Sequence, residues 1–103
     1  MGGMFWSAYI FNQPIGNWNV SNVTNMERMF SDTESFNQPI GNWDVSNVTN
    51  MIAMFRNAYS FNQSIENWNI SNFTEVRYMF DNAKNFNKNL AKWTNNHFKK
   101  NIK

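Results

Sequence analysis

Apolar residues recur along this chain at a fixed interval of 25 positions. Phe11, Phe36, Phe61 and Phe86 are in phase, as are Ile15, Ile40, Ile65 and Leu90, and Trp18, Trp43, Trp68 and Trp93. Val20, Val45 and Ile70 follow, then Val23, Val48, Phe73 and Phe98. Met4, Met29, Met54 and Met79 also align, each followed by a Phe. The first two full repeats share 18 of 25 positions, and the second and third share 13. The chain therefore divides, as a single repeat domain over 1–103, into a partial repeat at 4–10, full repeats at 11–35, 36–60 and 61–85, and a degenerate Lys-rich cap at 86–103. A repeat of this length cannot bury its apolar face alone, so neighbours stack and the in-phase residues form ladders through one core. The Phe and Trp columns, with Met29, Met54 and Met79, are read as such core spines rather than as a ligand cage.

The pattern inside one repeat predicts two elements. In residues 15–21, Ile15, Trp18 and Val20 are apolar, and Trp18 and Val20 alternate with Asn17, Asn19 and Ser21. That alternation predicts a short strand. In residues 21–33, Val23, Met26, Met29, Phe30 and Thr33 fall on one face of a helix. Ser21 or Thr24 would cap its N-terminus. Thr33 is replaced in phase by Ala58 and Ala83, which marks a small, packed position. Pro14 and Pro39 then hold the return segment out of helix. The expected architecture is an α/β right-handed solenoid resembling a leucine-rich repeat, with one short strand and one short helix per turn. A mostly-β solenoid is the alternative.

Composition sharpens this picture. Twenty-one of the 103 residues are Asn, a residue suited to turns and caps, and the aromatic content of 17% argues against disorder. There is no Cys, so disulfides and thiolate metal sites are excluded. No stretch approaches the roughly 20 apolar residues of a membrane span. The start, MGGMFWSAYIF, lacks a signal-peptide pattern. Residues 1–83 carry three Arg against seven acids, whereas residues 84–103 carry six Lys and no acid. The Lys-rich end is read as a solubilising cap. The apolar start is read as a cut end or a sticky edge that pairs with another chain.

Three stretches carry a family resemblance. Ser35–Gln38, Asn42–Met51 and Met54–Phe55 read SFNQ, NWDVSNVTNM and MF, and they recur in phase in the neighbouring repeats. This unit resembles that of the BspA-like leucine-rich repeat surface proteins, especially the form found in mycoplasma surface lipoproteins, over about residues 4–93. The resemblance implies a bacterial, extracellular or surface-exposed setting, a role in adhesion or host interaction, and no catalytic residues. The chain lacks that family's signal peptide and lipid-attachment Cys, so membrane association would need an anchor from outside it.

The residues themselves point to display rather than chemistry. The single His, His97, has no Cys or evident Ser partner, and Glu27, Asp32, Glu34, Asp44, Glu66, Glu75 and Asp81 do not repeat in phase. Neither a paired-carboxylate site nor a metal or cofactor site is expected. Nucleic acid is set aside because only the tail, with its six Lys, Trp93 and Phe98, is basic. What remains is the surface of the repeat. Three outward columns begin at Asn17, Asn42 and Asn67, at Asn19, Asp44 and Asn69, and at Ser21, Ser46 and Ser71, and they run on to Lys92, Thr94 and Asn96. They serve either as turn-formers or as a repeated hydrogen-bonding face for a protein or glycan on a host or neighbouring cell. Positions 27–28, 31–32 and 34 vary between repeats and are expected to be exposed. A second expectation is a self-assembling unit, with homo-oligomers formed through the N-terminal end.

Overall fold

The computed structural model describes residues 1–90 and Trp93. Its radius of gyration is 12.1 Å, with extents of 32 × 27 × 20 Å, close to the roughly 13 Å of a compact chain of this length. The chain winds in stacked coils, one per repeat, and the backbone of each coil bonds to the next. Met26, Arg28, Phe30 and Asp32 donate their amides to the carbonyls of Asn50, Ile52, Met54 and Arg56 at 2.8–2.9 Å. One coil on, Met51, Ala53, Phe55 and Asn57 do the same to Glu75, Arg77, Met79 and Asp81.

No helix occurs among the described residues, and the only strand-like pairings are isolated parallel bridges, Asn25 with Asn50 and Asn50 with Glu75. The chain is therefore neither the expected α/β solenoid nor the mostly-β alternative. The reason lies in the amides. Along 26–33, every second amide goes to the neighbouring coil, and the amides between them close three-residue turns, Met29 to Met26, Ser31 to Arg28 and Thr33 to Phe30. An α-helix would need all of them for bonds four residues back. Left-handed residues recur twice per coil, at Gly3, Arg28, Ala53 and Tyr78 and at Ser7, Asp32, Asn57 and Asn82, with φ of 55–66°. Each sits at the third position of a turn, where a type II turn demands positive φ, and each interrupts any right-handed helix. The expected strand at 15–21 is likewise two turns, Trp18 to Ile15 and Val23 to Val20.

The core is a stack of aromatic rungs. Phe30 and Phe36 lie 4.2 Å apart within one coil, and Phe55 and Phe61 lie 4.3 Å apart in the next. Between coils Phe30 stacks on Phe55 at 5.5 Å, Phe36 on Phe61 at 5.9 Å, and Trp43 on Trp68 at 6.5 Å. Each indole also ties two coils together. Trp43, Trp68 and Trp93 donate Nε1–H to the carbonyls of Ile15, Ile40 and Ile65 at 3.0–3.2 Å. Met29, Met54 and Met79 are fully buried, as are Thr33 and Ala58, and Ala83 is nearly so. The small column at 33, 58 and 83 is thus packed as its composition predicts. The outer rungs depart from the expected spine. Trp18 is 37% exposed against 4% for Trp43, and Phe11 and Phe86 are only half-buried.

The third repeat departs from the second most sharply at the position of Val48. Val48 is 1% exposed, whereas its counterpart Phe73 is 86% exposed. The well that takes a valine in the second coil does not take a phenylalanine in the third. The turn slips by one residue, from Val48 on Val45 to Thr74 on Ser71. Thr74 is buried instead, and its hydroxyl donates to the Val48 carbonyl at 2.8 Å.

Candidate binding surface

The Asn columns divide by what their side chains do. In one column, Asn12 Oδ1 accepts the Asn37 amide at 2.9 Å, Asn37 Oδ1 accepts the Asn62 amide at 2.9 Å, and Asn62 Oδ1 accepts the Asn87 amide at 3.2 Å. Gln38 and Gln63 reinforce it by donating Nε2–H to the carbonyl and Oδ1 of Asn12 and Asn37 at 3.0–3.1 Å. In a second column, Asn82 donates to Asn57 at 2.9 Å, and Asn57 donates to Asp32 at 2.6 Å. These amides hold coil to coil.

The predicted face behaves differently from column to column. Asn19 Oδ1 accepts both the amide and the hydroxyl of Ser21, at 3.1 and 2.7 Å. Asp44 Oδ1 accepts the same pair from Ser46, at 3.1 and 2.6 Å. These are Asx turns, so Asn19, Asp44, Ser21 and Ser46 serve the backbone. The Ser46 hydroxyl, then its amide, hold the Asp44 carboxyl below the ordinary carboxylate range against a small opposing desolvation. Ser71 is occupied too, accepting the Phe73 amide on its hydroxyl at 3.1 Å. Asn69 lies exposed on the slipped repeat. Asn17, Asn42 and Asn67 differ from the rest. All three are exposed, and none of their side chains bonds to another described residue. Asn17 borders a shallow recess of about 240 Å³ closed by Pro14, Gly16 and Pro39. Lys92, Thr94, Asn96 and His97, with most of the Lys-rich cap, lie outside the described residues.

The glycine beside this row explains why the coils approach so closely. A Cβ on Gly16 would lie 2.6 Å from the Pro39 carbonyl oxygen, and one on Gly41 would lie 2.5 Å from that of Ser64. The backbone at Gly16 and Gly41, beside Asn17 and Asn42, thereby lies hard against the next coil. In the third repeat Glu66 stands in the glycine's place.

Not every variable position is exposed. Arg28 and Tyr78 are, but Ala53 in the same column is buried, and so is Ser31. The exposed members form a charged and aromatic strip on the turn side. Trp6 donates Nε1–H to Asp32 at 3.2 Å beneath the Arg28 guanidinium, which lies 5.2 Å from its ring. Arg56 pairs with Asp81 at 3.2 Å, and Lys84 lies 5.1 Å over Tyr59. These contacts are internal and weak in water.

Among the described residues no three His, Cys, Asp or Glu side chains come together, and no helix is long and apolar enough to cross a membrane. Residues 1–101 match the family described as Mycoplasma protein of unknown function, DUF285. This chain belongs to the DUF285 family. The match to DUF285 spans every described coil. No curated protein and no solved structure matches the chain.

The exposed large apolar side chains among the described residues are Met4, Trp6, Tyr9 and Ile10, which fall in the apolar start already read as a cut end or sticky edge, and Trp18, Phe73 and Tyr78, which the sequence did not flag. Phe73 was discoverable, because it puts a ring where the first two full repeats carry valine.

Proposed function

We propose that this DUF285 chain is a non-enzymatic binding module displayed on a bacterial surface, and that it presents the amides of Asn17, Asn42 and Asn67 to a protein or glycan on a host or neighbouring cell. The observation that carries this reading is the contrast between columns. The Asn12 and Asn57 columns are consumed in holding the stack, and Asn19 and Asp44 in local turns, while the Asn17 column makes no internal bond and faces outward. Each amide offers two donors and an acceptor. One coil step separates them, so a partner with its own repeated polar groups meets them in series. Individually weak contacts then add through repetition. The row is uncharged, which favours hydrogen-bonded partners over ionic ones. The repeat character of the DUF285 family supports the surface setting.

The test is a binding screen of immobilised glycans and extracellular-matrix proteins with the wild-type chain. A triple variant, Asn17→Ala, Asn42→Ala and Asn67→Ala, is compared at matched melting temperature. The single variants lose a few-fold in affinity, and the triple loses at least tenfold. An unchanged affinity in the folded triple variant would overturn the reading.

A further inference from the structure

We propose that two copies of this chain pair side by side, antiparallel, through the charged and aromatic strip on the turn side. This inference is independent of the amide row and of either end of the stack. The coils are in register, since Asn25 bridges to Asn50, and Asn50 to Glu75, in parallel. Residues 25 apart on the strip therefore stand in line, one per coil. Two of these lines carry the same order of chemistry. Glu27, Ile52 and Arg77 run acid, apolar, base, and so do Glu34, Tyr59 and Lys84. None of the six is buried. The Asn50 side-chain amide holds the Glu27 carboxylate in its line at 3.0 Å.

Such an order is complementary to itself when reversed. A two-fold axis lying in the face, across the coil of Ile52 and Tyr59, sets each line against its own copy running the other way. Glu27 then meets the partner's Arg77, Glu34 meets the partner's Lys84, and each pair forms twice. Ile52 and Tyr59 meet their own copies, so the centre of the face is apolar and its charges lie toward its two ends. The neighbouring line, Arg28, Ala53 and Tyr78, pairs in the same way. The exposed Arg28 guanidinium meets the half-exposed ring of the partner's Tyr78, a cation–π pair, and the buried Ala53 leaves room at the axis.

The other charges on the strip fit this arrangement. Asp32 and Glu75 fall opposite the partner's Asn82 and Asn25, which are neutral. Arg56 comes near its own copy, but Asp81 already neutralises it at 3.2 Å. Parallel pairing, about an axis along the stack, would instead bring the partner's Glu34 to Glu27 and the partner's Lys84 to Arg77. Like charges thus reject the parallel arrangement and fix the antiparallel one. A two-fold contact of this kind closes at two copies. Exposed ion pairs each contribute little, so the dimer is weak and sensitive to salt.

The test is sedimentation equilibrium of the full chain from low micromolar to millimolar concentration. The expected mass rises from 12.2 kDa toward twice that value and then holds. Glu27→Lys sets like charges together twice per dimer and raises the dissociation constant roughly tenfold, and Arg77→Glu does the same. Both reversals in one chain exchange the ends of the line and return the dissociation constant to within roughly threefold of wild type. This rescue separates a lost contact from a lost fold. Glu66→Lys makes the same change of charge beside the amide row and leaves the dissociation constant unchanged. A constant monomer mass, a mass climbing beyond the dimer, a dimer indifferent to both single reversals, or a double reversal no tighter than either single one would each overturn the proposal.

Discussion

The second and third repeats are cut from one template, yet the coil they form is not the same. Both keep the aromatic rung, the indole that bonds backward, and the Asn ladder. They part at Gly41 against Glu66, at Val48 against Phe73, and at Asp44 against Asn69. The second repeat has a full coil on either side, and there the environment is severe. No Cβ fits beside the Ser64 carbonyl, and the well under Val48 closes around a branched aliphatic chain. The third repeat carries a carboxylate side chain in the glycine position and turns its ring out to solvent. A position in such a stack is therefore constrained by the coil that follows it as much as by its own repeat. Two identical strings become inequivalent once their neighbours differ.

The largest effect comes from breaking what the two repeats share. Phe55 is fully buried, with Phe30 and Phe80 each 5.5 Å away along the stack and Phe61 at 4.3 Å beside it. Phe55→Ala opens a cavity lined by rings that cannot collapse without shearing the ladder. The expected cost is about 3–5 kcal/mol, read as a shift in the urea midpoint at constant slope. A loss below about 1.5 kcal/mol would mean that the rungs are not packed as described.

Next comes the glycine. Gly41→Ala drives a methyl group into the Ser64 carbonyl at 2.5 Å, a backbone contact that can yield only by separating two coils. A cost toward the upper end of about 1–3 kcal/mol is expected. Glu66→Ala, the same column one repeat on, stays within about 0.5 kcal/mol. Equal costs at both sites would erase the distinction drawn between the repeats.

The valine well gives a smaller, reciprocal pair. Val48→Phe overfills a closed site or forces the turn slip already present in the third repeat, at about 1–2 kcal/mol. Phe73→Val removes an exposed ring and leaves stability within about 0.5 kcal/mol of wild type. Hydrogen exchange distinguishes the two routes for Val48→Phe. If the turn slips, the Val48 amide loses its bond to the Val45 carbonyl and its protection, whereas overfilling without a slip keeps that bond.

These comparisons also mark how far the sequence could be read. The period of 25, the aromatic spines and the small column at Thr33, Ala58 and Ala83 were all legible, because burial in a stack depends on phase alone. The helix was a misreading with a physical cause. Apolar residues at Val23, Met26 and Met29 recur every third position, a spacing that chained turns share with one helical face. The signal against a helix lay in the backbone. Asp32, Asn57 and Asn82 are residue types that tolerate positive φ, but Arg28, Ala53 and Tyr78 are not, so half of the turn pattern carried no mark in the side chains. The binding face was legible as a set of columns and not as a site. Which Asn columns are spent on the stack is decided by the register between coils, which places Asn12 against Asn37 and leaves Asn17 facing water.

The smallest predicted effect separates Asp44 from its counterparts Asn19 and Asn69. Ser46, through its hydroxyl and then its amide, holds the Asp44 carboxyl below the ordinary range in the folded state. The unfolded chain restores a value of about 3.9. A depressed folded pKa means that the unfolded state binds the proton first. The contribution is therefore complete above the unfolded value and is lost as pH falls through the folded one. Asp44→Asn keeps the Asx turn, as Asn19 does with Ser21, and it removes the titration. At neutral pH the variant lacks this small contribution and is slightly less stable than wild type, and the gap closes at low pH. Below about pH 4 its melting temperature falls less steeply than that of the wild-type chain. Because the carboxylate is open to solvent, the difference is small, and differential scanning calorimetry at stepped pH is the measurement suited to it. Parallel melting curves for the two proteins down to the lowest pH would show that the Ser46 bonds do not discriminate between the charged and neutral carboxyl. The second repeat would then differ from the third in packing alone.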